Sequence, residues 1–275
     1  MTQLQSAIQL SEGERIVHFS HANGYAPQTY TKFLDPFKNG NSVIASVHRP
    51  LWESNPHPNS VSSWREFGED ISELVESLDQ PVLSIGHSMG AAASVMAAAK
   101  QPSGFKALVL VEPALVPANY YRILRWFGPL IKARYPLITR TLNRVDRWDS
   151  PQSTFAHFRP KSVFQGFSDE VLWDYVAHGT YTDSEGGTRL NYSKEWEARC
   201  YMLADNIWHD LRVLSIPVLV IRGARSNTFS LKTCKALRSA CPNFEFLEIP
   251  GAGHLLPFEK PDILAGVIGS WMDKL

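Results

Sequence analysis

Val82-Leu83-Ser84-Ile85-Gly86-His87-Ser88-Met89-Gly90-Ala91-Ala92-Ala93 reads as an apolar strand, a sharp Gly-x-Ser-x-Gly turn and a helix of small residues. The glycines matter because a residue exposed on so tight a strand-to-helix turn leaves no room for side chains beside it. Ser88 then stands at the N-terminus of the helix, where the dipole and free N–H groups favour an anion. A bare Gly-x-Ser-x-Gly is often only a glycine-rich turn. The strand before it and the helix after it make Ser88 a candidate nucleophile.

A serine hydroxyl needs a base to take its proton. His254 fits, since Ile249-Pro250-Gly251-Ala252-Gly253-His254 leaves the last expected strand at the edge where parallel sheets carry their site residues. The order serine before histidine also fits the elbow template. His18, His21, His48 and His57 fall near early strand ends and are expected to make loop hydrogen bonds.

Working outward, β-branched runs at Arg15–Ser20, Ser42–His48, Pro81–Ile85, Lys106–Glu112, Pro217–Gly223 and Phe244–Ile249 alternate with helical patterns. The helices are expected at Trp64–Leu78, Met89–Lys100, Ser230–Ala240 and Pro261–Lys274. In the first, Phe67, Ile71, Leu74, Val75 and Leu78 share one face. This alternation predicts an α/β fold with a mostly parallel central sheet flanked by helices. The stretch 114–209 breaks the pattern with prolines at 117, 129, 136, 151 and 160, many aromatic and arginine residues, and no strand-like runs. It reads as a helical cap inserted into a core made of 1–113 and 210–275, with a turn at Asp183-Ser184-Glu185-Gly186-Gly187.

Lys+Arg and Asp+Glu both number 27, so no charge excess is available for nucleic acid or an anionic membrane, and a small-molecule partner is expected. No spaced His/Cys/Asp cluster suggests a metal, and no cofactor is expected. Cys200, Cys234 and Cys241 are too few, and odd in number, for a disulfide framework. No signal-like or membrane-spanning apolar run is visible, which makes the cytoplasm the expected location; a homodimer is left open.

The elbow, the Gly-Ala-Gly-His near the end and the insertion after Glu112 resemble the serine-nucleophile, esterase- or lipase-like branch of the α/β-hydrolase superfamily over nearly the whole chain. The resemblance implies an oxyanion hole from two backbone N–H groups, that of Met89 and one from Ser20-His21-Ala22-Asn23-Gly24-Tyr25, where Asn23 is the matching position. It also implies an acid that orients the histidine, usually after the strand matching Val218-Leu219-Val220-Ile221-Arg222-Gly223. Here the chain departs from the pattern: Ala224-Arg225-Ser226-Asn227-Thr228-Phe229 holds no carboxylate, and Asn227 stands at the usual acid position. Either the acid has moved to Glu112, a place some members use, or Asn227 replaces it and activity is weak.

In the insertion, Tyr120, Tyr121, Trp126, Phe127, Trp148, Phe155, Phe158, Phe164, Phe167, Trp173 and Tyr175 supply aromatic area that holds it to the core, with some left to line an apolar pocket. Arg122, Arg125, Arg134, Arg140 and Arg144 recur at helical intervals, as on a solvated face, and leave room for a carboxylate-bearing substrate. The expected function is hydrolysis of a carboxylic ester of a small, largely apolar substrate through an acyl-enzyme on Ser88. Thioester, lactone or C–C cleavage, acyl transfer and perhydrolysis use the same groups. Serine at the elbow argues against the dehalogenase and epoxide hydrolase branches, which use a carboxylate there. The alternative from another class is a ligand-binding receptor or weakly active relative of enzymes, kept alive by Asn227.

Overall fold

The computed structural model describes residues 5–115, 117 and 136–275. Seven strands make the central sheet: β1 Ala7–Gln9, β2 Arg15–Ser20, β3 Asn41–Ser46, β4 Val82–His87, β5 Phe105–Val111, β9 Val218–Gly223 and β10 Glu245–Ile249. They lie in the order β1-β3-β2-β4-β5-β9-β10, with β1 antiparallel to β3 and every other pair parallel.

The alternation of side chains along each strand fills two cores. On β5, Ala107, Val109 and Val111 enter one face and Phe105, Leu108 and Leu110 the other. On β9, Leu219 and Ile221 oppose Val218 and Val220 in the same way. Both faces need cover, and helices give it. The Arg65–Glu76 helix presents Phe67, Ile71 and Val75 to the sheet, and beside it the Met89–Lys100 helix is buried nearly throughout, because alanines let it approach closely. The Pro261–Met272 helix covers the opposite face with Leu264, Ile268 and Trp271.

The chain leaves β2 towards β3 on one side and returns to β4 on the other, so the strand order reverses between β2 and β4. A crevice at the carboxyl ends of strands flanking such a reversal is where open α/β sheets bind ligands. Ser20 ends β2 and His87 ends β4. The Ser88 turn is therefore placed by topology.

Between β5 and β9 the chain carries the helices Pro136–Leu142, Pro151–Phe158, Asp169–Gly179, Lys194–Met202 and Trp208–Val213. The expectation of an entirely helical segment needs correcting. A small antiparallel sheet, in the order β6-β8-β7, joins β6 Arg147–Trp148, β7 Thr180–Thr182 and β8 Thr188–Leu190. These strands are two or three residues long and mostly polar, too short for a period-of-two signal. The turn read at 183–187 is the β7–β8 connection, closed by the Asp183 N–H donating to the Gly187 carbonyl at 2.8 Å. Among the described residues no helix is long and apolar enough to cross a membrane.

Candidate active site

Ser88 caps the Met89–Lys100 helix with φ 55° and ψ −115°, a conformation costly for any residue with a Cβ. The strain is held by its surroundings. The Ser88 N–H donates to the Val111 carbonyl at 3.1 Å, and the Ser88 carbonyl accepts from Ala92 and Ala114. The flanking glycines are required by contact: a Cβ on Gly86 would lie 2.4 Å from the Ala91 Cα, and one on Gly90 would lie 2.2 Å from the Ser20 carbonyl oxygen. Substituting either would force the helix away from β2 and β4.

Three side chains form a line from this turn. Ser88 Oγ lies 2.9 Å from His254 Nε2, and His254 Nδ1 lies 2.9 Å from Glu112 Oε2. Because Nδ1 faces a carboxylate it carries the ring proton, which leaves the Nε2 lone pair for the serine hydroxyl. Glu112 is fully buried, with φ 49°, directly after β5. Its carboxylate accepts from the Gly223 N–H at 2.6 Å and from the Ser226 hydroxyl at 2.5 Å, as well as from the ring. Only three described non-glycine residues have positive φ, and two of them are Ser88 and Glu112. Backbone strain of this kind gathers where geometry serves function.

Asn227, in contrast, is exposed, and both ring nitrogens of His254 are taken by Glu112 and Ser88. Its loop still contributes, since Ser226 donates to Glu112. Sequence reasoning missed Ser226, because a serine in a turn carries no signal of the carboxylate it will meet across the sheet.

A second network ties the loops together. The Ala22 N–H donates to the Tyr30 hydroxyl oxygen at 3.1 Å, and Tyr30 donates its proton to His87 Nδ1 at 2.8 Å. His87 Nε2–H donates to the main-chain carbonyl of His254 at 2.9 Å. The carbonyl can only accept, so Nε2 holds the proton and Nδ1 must accept; the chain of donors has one direction. It joins the loop after β2, the elbow and the histidine loop. Burial lowers the His87 pKa to about 3, which keeps the ring neutral.

Met89 begins the helix, so its N–H has no partner within it, and no acceptor for the Asn23 N–H is recorded among the described residues. Asn23 is buried, and its side-chain Nδ2 donates to the Glu197 main-chain carbonyl at 3.0 Å. Of the remaining histidines, His18 joins Ser84 and Ser46, His48 joins Ser20, and His21 bonds within its own loop to Ala22 O. His57 accepts from the Asn59 N–H in an exposed turn. Burial holds His18 at about 3 and His21 at about 4. Among the described residues no three His, Cys, Asp or Glu side chains converge as a metal site would need.

Of the insertion's aromatics, Tyr120, Tyr121, Trp126 and Phe127 lie outside the described residues, as do Arg122, Arg125 and Arg134. Trp148, Phe158, Phe164, Phe167 and Tyr175 are buried, and they pin the insertion through Phe258 and Tyr25: Phe167 stacks on Phe258 at 5.0 Å and Tyr175 meets Tyr25 at 5.5 Å. Arg140 is exposed, as a solvated face requires, but Arg144 is not part of one. It is half-buried and paired with the carboxylate of Glu197.

Comparison with known proteins places this geometry. The model of the alpha/beta hydrolase family matches residues 19–267. Monoglyceride lipase of Rattus norvegicus is 27% identical over 270 residues, covering 94% of this chain and 82% of the relative. The peroxisomal membrane protein LPX1 of Saccharomyces cerevisiae is 24% identical over 221 residues, 74% of this chain but 57% of that longer protein. Among solved structures, E-2-(acetamidomethylene)succinate hydrolase superposes with a TM-score of 0.80 at 20% identity, covering 97% of this chain and 94% of the other. The fold, and a family match that takes in β4, the elbow and the histidine loop, agree: the chain belongs to the alpha/beta hydrolase family.

Proposed function

We propose that the chain is a serine hydrolase that cleaves a carboxylic ester of a small, largely apolar substrate through an acyl-enzyme on Ser88. The observation that carries this reading is the hydrogen-bonded line Ser88–His254–Glu112. His254 Nε2 takes the hydroxyl proton as Ser88 Oγ attacks the carbonyl carbon, then delivers it to the departing alcohol. The N–H groups of Met89 and Asn23 receive the oxyanion, each contributing about 3 kcal/mol to transition-state stabilisation. In the second half, His254 takes a proton from water as its oxygen attacks the acyl carbonyl carbon, and returns that proton to Ser88 Oγ as the ester bond to Ser88 breaks and the carboxylic acid leaves. Glu112 fixes the ring's tautomer and stabilises the imidazolium while it lasts.

Monoglyceride lipase among the sequence relatives, and an esterase and a thioesterase domain among the structural neighbours, support the reaction class. The segment 114–209 serves as the cap that shields the site, its described part, 136–209, being held against Phe258 and Tyr25 by its aromatics. The receptor alternative loses the feature that motivated it, because the ring of His254 meets a carboxylate and not Asn227.

The test is acid quenching of the protein during turnover of p-nitrophenyl butyrate, followed by peptide mass analysis. A butyryl group on the peptide carrying Ser88, absent in Ser88→Ala, is expected. No turnover, or an acyl group on another residue, would overturn the reading.

A further inference from the structure

Glu197 is the second buried glutamate near the elbow, and it belongs to the Lys194–Met202 helix of the insertion. Its main-chain carbonyl accepts from Asn23 Nδ2, and its carboxylate accepts from the Tyr201 hydroxyl at 3.1 Å and pairs with Arg144 Nη1. Gly24 lies so close that a Cβ there would be 3.1 Å from the Glu197 Cδ. The insertion thus touches the loop that carries the Asn23 N–H.

Three buried polar atoms at this junction make no hydrogen bond: Asn23 Oδ1 and Glu197 Oε2, both acceptors, and Arg144 Nε, a donor. The charge of Glu197 Oε2 is answered by its ion pair with Arg144 Nη1, so Asn23 Oδ1 and Arg144 Nε are the two with no partner at all. The other nitrogens of Arg144 are engaged, Nη1 by Glu197 and Nη2 by the Tyr192 carbonyl at 3.4 Å. Folded proteins pair nearly all buried polar atoms, so a donor and an acceptor left open on two residues that both bond Glu197, one at its main-chain carbonyl and one at its carboxylate, call for a ligand. The setting is polar: the Tyr201 hydroxyl bonds the Glu197 carboxylate, and the Tyr25 and Tyr175 rings, 5.5 Å apart, lie where the insertion meets the Asn23 loop.

We infer that Asn23, Arg144 and Glu197 form a polar subsite beside the elbow that takes a hydroxyl group of the substrate, its O–H donated to Asn23 Oδ1 and its oxygen accepting from Arg144 Nε. A hydroxyl has one donor and two acceptor lone pairs, which matches the one acceptor and the one donor that have no partner. A carboxylate has no proton for Asn23 Oδ1 and would face the charge of Glu197. An ammonium would face the Arg144 guanidinium. The Arg144–Glu197 pair is neutral overall, and so is the group it selects. The anionic substrate that the arginine-rich sequence left room for is therefore not the one this subsite suits.

The inference rests on the hydrolase reading above, and the test separates the two. It compares kcat/KM within ester pairs that differ by one hydroxyl. On the acyl side the pair is p-nitrophenyl butyrate and p-nitrophenyl 3-hydroxybutyrate; on the alcohol side it is propyl butyrate and 2-hydroxypropyl butyrate. The p-nitrophenyl monoester of succinic acid serves as the anionic comparator. At least one pair should favour the hydroxylated member by about tenfold or more. That ratio should collapse to near unity in both Arg144→Lys and Arg144→Met, and persist in Arg140→Met at the exposed position. The lysine variant keeps a cation on Glu197 but has no Nε–H at that place, so it removes the donor without releasing the insertion.

Absence of preference in both pairs, as when water fills the subsite, overturns the inference. So does preference for the succinate ester, survival of the ratio in both Arg144 variants, or collapse in the methionine variant alone. Turnover of the plain esters with any of these results leaves the hydrolase reading standing. If no ester is turned over and Ser88 is never acylated, the hydrolase reading falls and the subsite falls with it.

Discussion

Two buried glutamates lie near the elbow, and their surroundings differ. Glu112 comes from the end of a central strand, and its carboxylate accepts from Gly223, Ser226 and His254, a full set in a dry place. Glu197 comes from the inserted segment and is held by Tyr201 and Arg144, while its neighbours Asn23 and Arg144 keep open valences. Burial raises the Glu197 pKa, against the pull of Arg144 and the Tyr201 hydrogen bond. A fully satisfied carboxylate fixes geometry, because any movement costs hydrogen bonds that nothing replaces. A partly satisfied cluster retains a preference for whatever completes it. The sheet side of the site is built to hold still, and the insertion side to recognise.

The comparison can be broken at several points. Ser88→Ala should have the largest effect, lowering kcat by roughly 10⁵–10⁶-fold, since a triad loses most of its rate with its nucleophile. Steady-state turnover of p-nitrophenyl butyrate reads it directly. Tyr30→Phe removes the hydroxyl that accepts from the Ala22 N–H and donates to His87 Nδ1, leaving both groups buried and unpaired. Such losses cost about 1–3 kcal/mol each. We expect a kcat roughly 10–100-fold lower with KM within about threefold, and a lower melting midpoint in calorimetry.

Gly24→Ala acts where the two regions meet. Gly24 has φ 85°, and the new Cβ would press on the Glu197 carboxyl, so the Asn23 loop must shift. A fall of about tenfold in kcat is expected, on the order of half of one oxyanion donor's contribution. An unchanged kcat would mean that the loop position is insensitive to the insertion.

The smallest effect is on stability against pH. His18, His21, His48 and His87 are all depressed by burial, His18 and His87 to about 3 and His21 to about 4. Each is neutral in the folded protein and protonates near pH 6.5 when unfolded, so the unfolded chain binds more protons between those values. Their contribution is complete above about pH 6.5 and is lost as pH falls towards 3 to 4. Urea titrations at pH 7.5 and pH 5 should show lower stability at pH 5, and His18→Gln should reduce the difference.

The strand–turn–helix at Ser88 and the loop at His254 were legible because both are local: the chemistry and the backbone that presents it lie within a dozen residues. The alternation of strands and helices was legible for the same reason. The acid was not, since Glu112 and Asn227 occupy loops that meet only after β5 and β9 pair, and choosing between them needs distances across the sheet. The roles of Tyr30, His87 and Ser226 were hidden too. Each acts through a partner more than 50 residues away. Arg144 misled in the other direction. Helical spacing suggested a wet face, but tertiary packing brought it onto Glu197.

The central claim is that buried Glu112, through His254, makes Ser88 a nucleophile. It is tested most directly by kcat for p-nitrophenyl butyrate in Glu112→Gln beside Asn227→Asp. Replacing the carboxylate by an amide keeps the shape but lets the ring adopt the wrong tautomer, and in serine proteases this costs about 10⁴-fold. The account predicts a loss of that order for Glu112→Gln and a kcat within about twofold of wild type for Asn227→Asp. A Glu112→Gln enzyme of near-normal kcat, or a large gain in Asn227→Asp, would contradict it.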